Sequence, residues 1–216
     1  MRGTITVTGL GETEFMSDMI VIEGSIENEN YDAAEGYRGL EEARNRVINF
    51  LVSKGVAREA ITFNMPNTYE LTTSIYEEGN YVGSRFTGYN LTQSFTIEST
   101  DVDAVESAAR ELPSLLAQGI DISVQNPMYY YSKLESVKHD LIAAAAADAH
   151  ERATQIAINS GAELVNLSMS RAGVFQITAA TGDEEFSAGG SFNLSSREKK
   201  ARVTVRAEYK IKPAVK

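Results

Sequence analysis

The chain has 216 residues, 43% of them hydrophobic, and a formal net charge of −10. That length supports one sizeable core or two small intertwined lobes, and no apolar run approaches the ~18 residues of a membrane-spanning helix. The negative charge disfavours nucleic acid or an anionic membrane as partner, and the absence of cysteine excludes disulfides, thiol nucleophiles and thiolate metal sites.

Thr4–Thr8 alternates, with Ile5 and Val7 on one face, so it predicts a strand. Met19–Glu27 reads as its hairpin partner across the connection Gly9–Asp18. Within that connection Gly9-Leu10-Gly11 resembles half a dinucleotide fingerprint, but Glu12-Thr13-Glu14-Phe15 follows where a helix would be required. A turn or bulge is the expectation. A helix is predicted from Asp32 to Lys54, because Ala33, Tyr37, Leu40, Ala43, Val47, Phe50 and Leu51 recur at helical spacing. Asp32 is its expected N-cap, with Glu35 closing a capping box.

Ile61–Tyr76 and Tyr81–Ser99 predict two long strands about a turn at Glu77-Glu78-Gly79-Asn80. Strands so long either bend over their own helices or project as an arm spanning 61–99, and a projecting arm offers edges to another chain. Tyr69, Leu71, Ile75, Tyr81 and Phe86 would then be the apolar contacts of a homo-oligomer. A second helix starts at Thr100 or Asp101, with Val102, Val105, Ala109, Leu112 and Leu116 inward, and Pro113 kinks or ends it. Ile120, Ile122 and Val124 mark a short strand. Tyr129, Tyr130 and Tyr131 follow, as an aromatic ligand platform or as strand-end packing.

The longest helix runs from Leu134 to Ser160. Leu141, Ala145, Ala149, Ala153 and Ala157 lie four apart on it, a ridge of mostly small side chains that lets another element approach closely. Val165, Leu167 and Met169 follow as a strand. Thr178–Ser196, around Asp183-Glu184-Glu185-Phe186, reads as a long Gly/Ser-rich loop, either mobile or ordered by a partner. The closing strand alternates, with Val203, Val205, Ala207, Tyr209 and Ile211 facing in. Eight Lys and Arg from Arg197 to Lys216 face only Glu198 and Glu208, a local +6 that leaves −16 elsewhere. This is a solvated face or a basic edge for an acidic neighbour.

Three helices end at a glycine that leads into a strand: Lys54-Gly55-Val56, Gln118-Gly119-Ile120 and Ser160-Gly161-Ala162. Glycine takes the left-handed conformation just past a helix without a Cβ clash. The expected fold is therefore α+β, with mixed or antiparallel sheets packed against long helices.

Chemistry is sparsely signalled. His139 and His150 are the only histidines; eleven helical residues set them ~16 Å apart along the axis, too far to share a metal. No nucleophile elbow, P-loop, metal motif or calcium loop is present. Asp18, Glu23, Glu70 and Glu163 are candidates only if folding pairs them. The expectation is no enzyme, no catalytic residue, no cofactor and no metal.

The order of these pieces resembles the SIMPL-domain family of bacterial envelope proteins. The likeness rests on Ile5-Thr6-Val7-Thr8-Gly9-Leu10-Gly11-Glu12, on Phe50-Leu51-Val52-Ser53-Lys54-Gly55-Val56 with Ile61-Thr62-Phe63, and on Tyr81 through Tyr89-Asn90-Leu91-Thr92. The alanine helix running into Gly161-Ala162-Glu163-Leu164 completes it. Two features depart from the family: Met16-Ser17-Asp18 stands where a proline-aspartate pair is expected, and the late loop is Gly/Ser-rich instead of proline-rich. The resemblance implies one SIMPL-like domain over 1–216, or two intertwined lobes. It further implies a periplasmic or otherwise extracytoplasmic protein whose leader has been removed. Ring-like or other homo-oligomers, an envelope-protein or peptide partner, and a stress-related role are its functional implications. The alternative is a peptide or small-ligand binding module.

Overall fold

The computed structural model describes residues 3–181 and 187–214. The chain divides into two units, one made of Met1–Ser17 with Tyr131–Lys216 and the other of Asp18–Tyr130.

In the first unit β1 (Thr4–Met16) pairs antiparallel along its whole length with the closing strand, β11 (Glu198–Pro213). On its other side β11 carries β8 (Ala162–Ala172) and β9 (Gln176–Ala179), and β10 (Ser191–Phe192) lies parallel to β9. The α3 helix (Leu134–Asn159) packs on one face of this sheet, across β1, β11 and β8. The alanine ridge is the seam: Leu141, Ala145, Ala149, Ala153 and Ala157 are all buried. Against them stand Val203 and Val205 at one end and Val7, Ala207 and Tyr209 at the other.

Gly9-Leu10-Gly11 is neither a turn nor a bulge, because its register against β11 is unbroken. It lies in the middle of β1, and the glycines admit the helix: a Cβ on Gly9 would sit 2.1 Å from the Ala145 carbonyl oxygen, and one on Gly11 2.3 Å from that of Leu141. Nor is Met19–Glu27 the hairpin partner of β1, because β2 (Met19–Asn30) joins the sheet of the second unit. The strand after Gly161 forms, but Val165, Leu167 and Met169 are exposed, since β8 is an edge strand displaced by two register shifts against β11. The late segment is not wholly structureless: β9 and β10 bracket it. Asp183-Glu184-Glu185-Phe186 lies outside the described residues.

In the second unit β2 sits beside β5 (Asn80–Ser99), with β6 (Asp121–Val124) and β7 (Met128–Tyr130) on the far side of β2. Opposite, β3 (Ile61–Phe63) and β4 (Asn67–Glu77) both pair with β5. The strand expected over 61–76 is thus two. Pro66 has no N–H for the ladder, and the Gln93 side chain donates to the Asn64 carbonyl (2.6 Å) at the break. The turn between β4 and β5 is two residues, Glu78 and Gly79, both at positive φ, which suits the twist of a tight hairpin.

The α1 helix (Ala33–Ser53) and the α2 helix (Val102–Glu111) cover one face of this sheet. Asp32 caps α1 through the N–H groups of Ala34 and Glu35. Glu35 does not close a capping box; it pairs with Arg38, and the Asp32 N–H goes to Asn30. The buried stripe runs through Gly36, Leu40, Ala43, Val47 and Leu51, with Tyr37 exposed instead of inward. From Leu112, with Pro113 in its first turn, the chain tightens to a 3₁₀ segment, Leu112–Gln118. Three-residue spacing carries Leu115 rather than Leu116 below Leu112 into the core. Gly55, Gly119 and Gly161 all take positive φ just past their helical segments, as the helix–Gly–strand pattern requires.

Candidate functional site

The β4–β5 arm is the most conspicuous surface feature of the second unit. Residues 89–99 of β5 pair with β2, whereas residues 80–88 pair with β4 alone. Two strands without a third have no sheet face to bury, and their side chains are accordingly wet. Tyr69, Ile75, Tyr76, Tyr81 and Val82 are 41–63% exposed. Leu71 and Phe86 are half-buried; the Phe86 ring lies edge-on to Tyr31 (5.2 Å) and Tyr89 (5.1 Å), an aromatic cluster at the root of the arm. Four of the five expected contact residues therefore stand on the stretch where β4 and β5 pair only with each other, and Tyr69 stands at its base.

The three tyrosines do not make one face. Tyr129 is buried in the core of the second unit, with Tyr130 on the opposite side of β7. Tyr131 stacks on Phe15 (4.7 Å) in the first unit. Strand alternation parts the first two rings, and burial leaves Tyr129 no surface to offer.

The candidate acids and histidines are scattered. Glu163 faces Lys212 (3.1 Å), Glu70 lies opposite Tyr89, and Glu23 lies opposite Thr96. His139 is exposed and His150 lies edge-on to Tyr209 (5.7 Å). Glu23, Ser25, Ser94, Thr96 and Ser123 line a polar cleft of about 250 Å³ on the helix-free face of the second sheet. Cross-strand register sets Ser25 between Ser94 and Ser123 there.

Asp148 has a function that sequence reasoning missed. The free edge of β1 points the Leu10 N–H outward, and Asp148 Oδ2 accepts it at 2.8 Å while also accepting from Arg152 Nε at 2.9 Å. A carboxylate on the helix thereby occupies one place where another strand would add. The Arg152 bond, and then the Leu10 bond, hold its carboxyl below the ordinary carboxylate range. A depressed pKa stabilises the fold above the ordinary range, and that stabilisation disappears as pH falls through the folded value. Asp148→Ala is expected to lower stability at neutral pH and to flatten the acid side of the stability profile, read by urea unfolding between neutral and strongly acidic pH. Parallel profiles for the two proteins would remove Asp148 from the edge.

Among the described residues no group of three or more His, Asp or Glu side chains is placed to hold a metal ion. Among the described residues no helix is long and apolar enough to cross a membrane. The family model described as "SIMPL: Protein of unknown function (DUF541)" matches residues 5–209, spanning both units. No curated protein matches the chain.

Proposed function

Because the chain belongs to the SIMPL family, whose description assigns no function, and because its β4–β5 arm exposes apolar side chains along a free edge, we propose a non-enzymatic role through self-association. The protein acts as an extracytoplasmic envelope component, and the arm supplies the contact between copies.

The observation that carries this reading is the arm. Exposed apolar residues beside unpaired edges are what sheets ordinarily blunt with charge, proline or a covering helix. At β1 the chain does so with Asp148; along β4 it leaves Tyr69, Leu71 and Ile75 with little cover. Deleting Ile75–Gly83 and closing with Asn-Gly removes the tip and leaves the pairing of β5 with β2 intact. The variant is expected to fold and to show reduced association by size-exclusion with light scattering. If its mass matches the parent's, the arm is internal scaffold and the contact lies on another surface.

A second reading, a binding module for a small ligand, draws on a cavity in the first unit. Leu10, Val174, Gln176 and Thr204 are among its lining residues, and its volume of about 410 Å³ falls in the ordinary range for small-molecule sites, ~300–1,000 Å³.

A further inference from the structure

On the helix-free face of the first sheet, charges meet across strands in complementary pairs with one exception. Lys200 lies opposite Glu14, Arg202 opposite Glu12, and Lys212 opposite Glu163. Each of these is also an ion pair, at 3.7, 3.5 and 3.1 Å. Arg206 breaks the rule: its neighbours are Thr8 on β1 and Arg171 on β8. Both arginines are exposed, and neither makes an ion pair among the described residues. Like charges directly opposite on a sheet destabilise it. A sequence that pairs its other facing charges here keeps two guanidiniums side by side.

The next row along the same face explains what they flank. Two residues from Arg206 stands Thr204, opposite Leu10 on β1, and the Gly173 N–H closes on the Thr204 carbonyl at 2.8 Å. These residues border the cavity of about 410 Å³. Leu10 and Val174 are 40% and 46% exposed there, apolar surface beside charged and hydroxyl side chains, with Met16 and Met169 farther along the same face. Thr204 adds a hydroxyl, Arg202 lines the wall in its ion pair with Glu12 (3.5 Å), and the Gln176 amide is engaged by the Ser187 main chain. Among the described residues, the cations next to the cavity that make no ion pair are therefore Arg171 and Arg206. Glu208 stands one row from the two arginines without forming an ion pair among the described residues, and an apolar slot one row from such a cationic pair selects for both charge and greasiness.

We infer that this cavity binds a small oxyanion with a short apolar tail. The carboxylate or phosphate head lies between Arg171 and Arg206, and the tail lies over Leu10 and Val174. Two planar guanidiniums offer the forked donors that an oxyanion takes in pairs, and the bound anion offsets their mutual repulsion. This site is independent of self-association through the arm and stands or falls separately.

Isothermal titration of the full chain with octanoate tests it, with acetate, inorganic phosphate and octylamine as companion probes. Octanoate is expected to bind one per chain. R171Q/R206Q is expected to weaken it about tenfold or more, with each single variant between, and the tailless anions are expected to bind about tenfold or more weaker than octanoate. L10E sets a carboxylate against the tail and is expected to do the same; V174E repeats that test from the other wall if L10E does not fold. Equal octanoate binding by the parent and R171Q/R206Q, equal binding of octylamine, or no binding of octanoate by the parent would each overturn the assignment.

Discussion

Gly9→Ala is expected to destabilise the first unit by about 3 kcal/mol or more, the largest effect of a single methyl group anywhere in β1. The new Cβ would stand 2.1 Å from the Ala145 carbonyl oxygen and 2.4 Å from the Ala149 nitrogen. Both are main-chain atoms of a helix and have no rotamer to move into. Relief comes only by lifting α3 from the sheet, which loosens the buried contacts of Ala145, Ala149 and Ala153 together. Gly11→Ala meets the Leu141 carbonyl in the same way, at 2.3 Å. Ala149→Leu attacks the seam from the helix side and is expected to cost ~1–3 kcal/mol. Thr6→Ala, on the exposed face of the same strand, should change stability by no more than ~0.5 kcal/mol. Urea unfolding followed by circular dichroism checks the set. A Gly9→Ala midpoint equal to that of Thr6→Ala would mean that the helix does not rest on this strand.

Lys199→Met is expected to be nearly as damaging for a different reason. Lys199 is fully buried on β11, and its ammonium donates to the carbonyls of Asn193 and Ser196, each at 2.6 Å. The apolar replacement fills the path of the side chain up to the ammonium but strands both acceptors. A buried polar group left without a partner costs ~1–3 kcal/mol, so ~2–6 kcal/mol bounds the loss for the pair. The loss should be local first, with amide exchange rising over 193–198 before the rest of the unit opens. Unchanged exchange in that segment, together with unchanged thermal stability, would show that the ammonium does not hold it.

Local chemistry made some of this fold legible in the sequence. The alternation of Val203, Val205, Ala207 and Tyr209 marks a half-buried strand, and the four-residue spacing of the alanine ridge marks a close-packed helix. Asp32 is the helix cap its residue type suggests. Most of the misreadings share a cause: they depend on a partner far along the chain. Gly9-Leu10-Gly11 looks like a turn because glycine usually serves local geometry, whereas here it serves a helix whose Asp148 lies 138 residues beyond Leu10. The pairing of β1 with β11 joins the two ends of the chain, which alternation within either strand does not disclose. Tyr37 and Leu116 fit an ideal helical stripe, yet Gly36 and Leu115 take the buried places. At Gly36 a Cβ would meet Leu91 at 2.4 Å, and from Leu112 the helical period itself changes. The Arg171–Arg206 pair is legible only once register is known.

Self-association is the central claim, and the mass of the full chain in solution tests it most directly. Size-exclusion with light scattering at micromolar concentration should give a multiple of the protomer mass for the parent. The variant lacking the Ile75–Gly83 tip should shift toward the protomer. A parent that runs as a strict monomer would contradict the account.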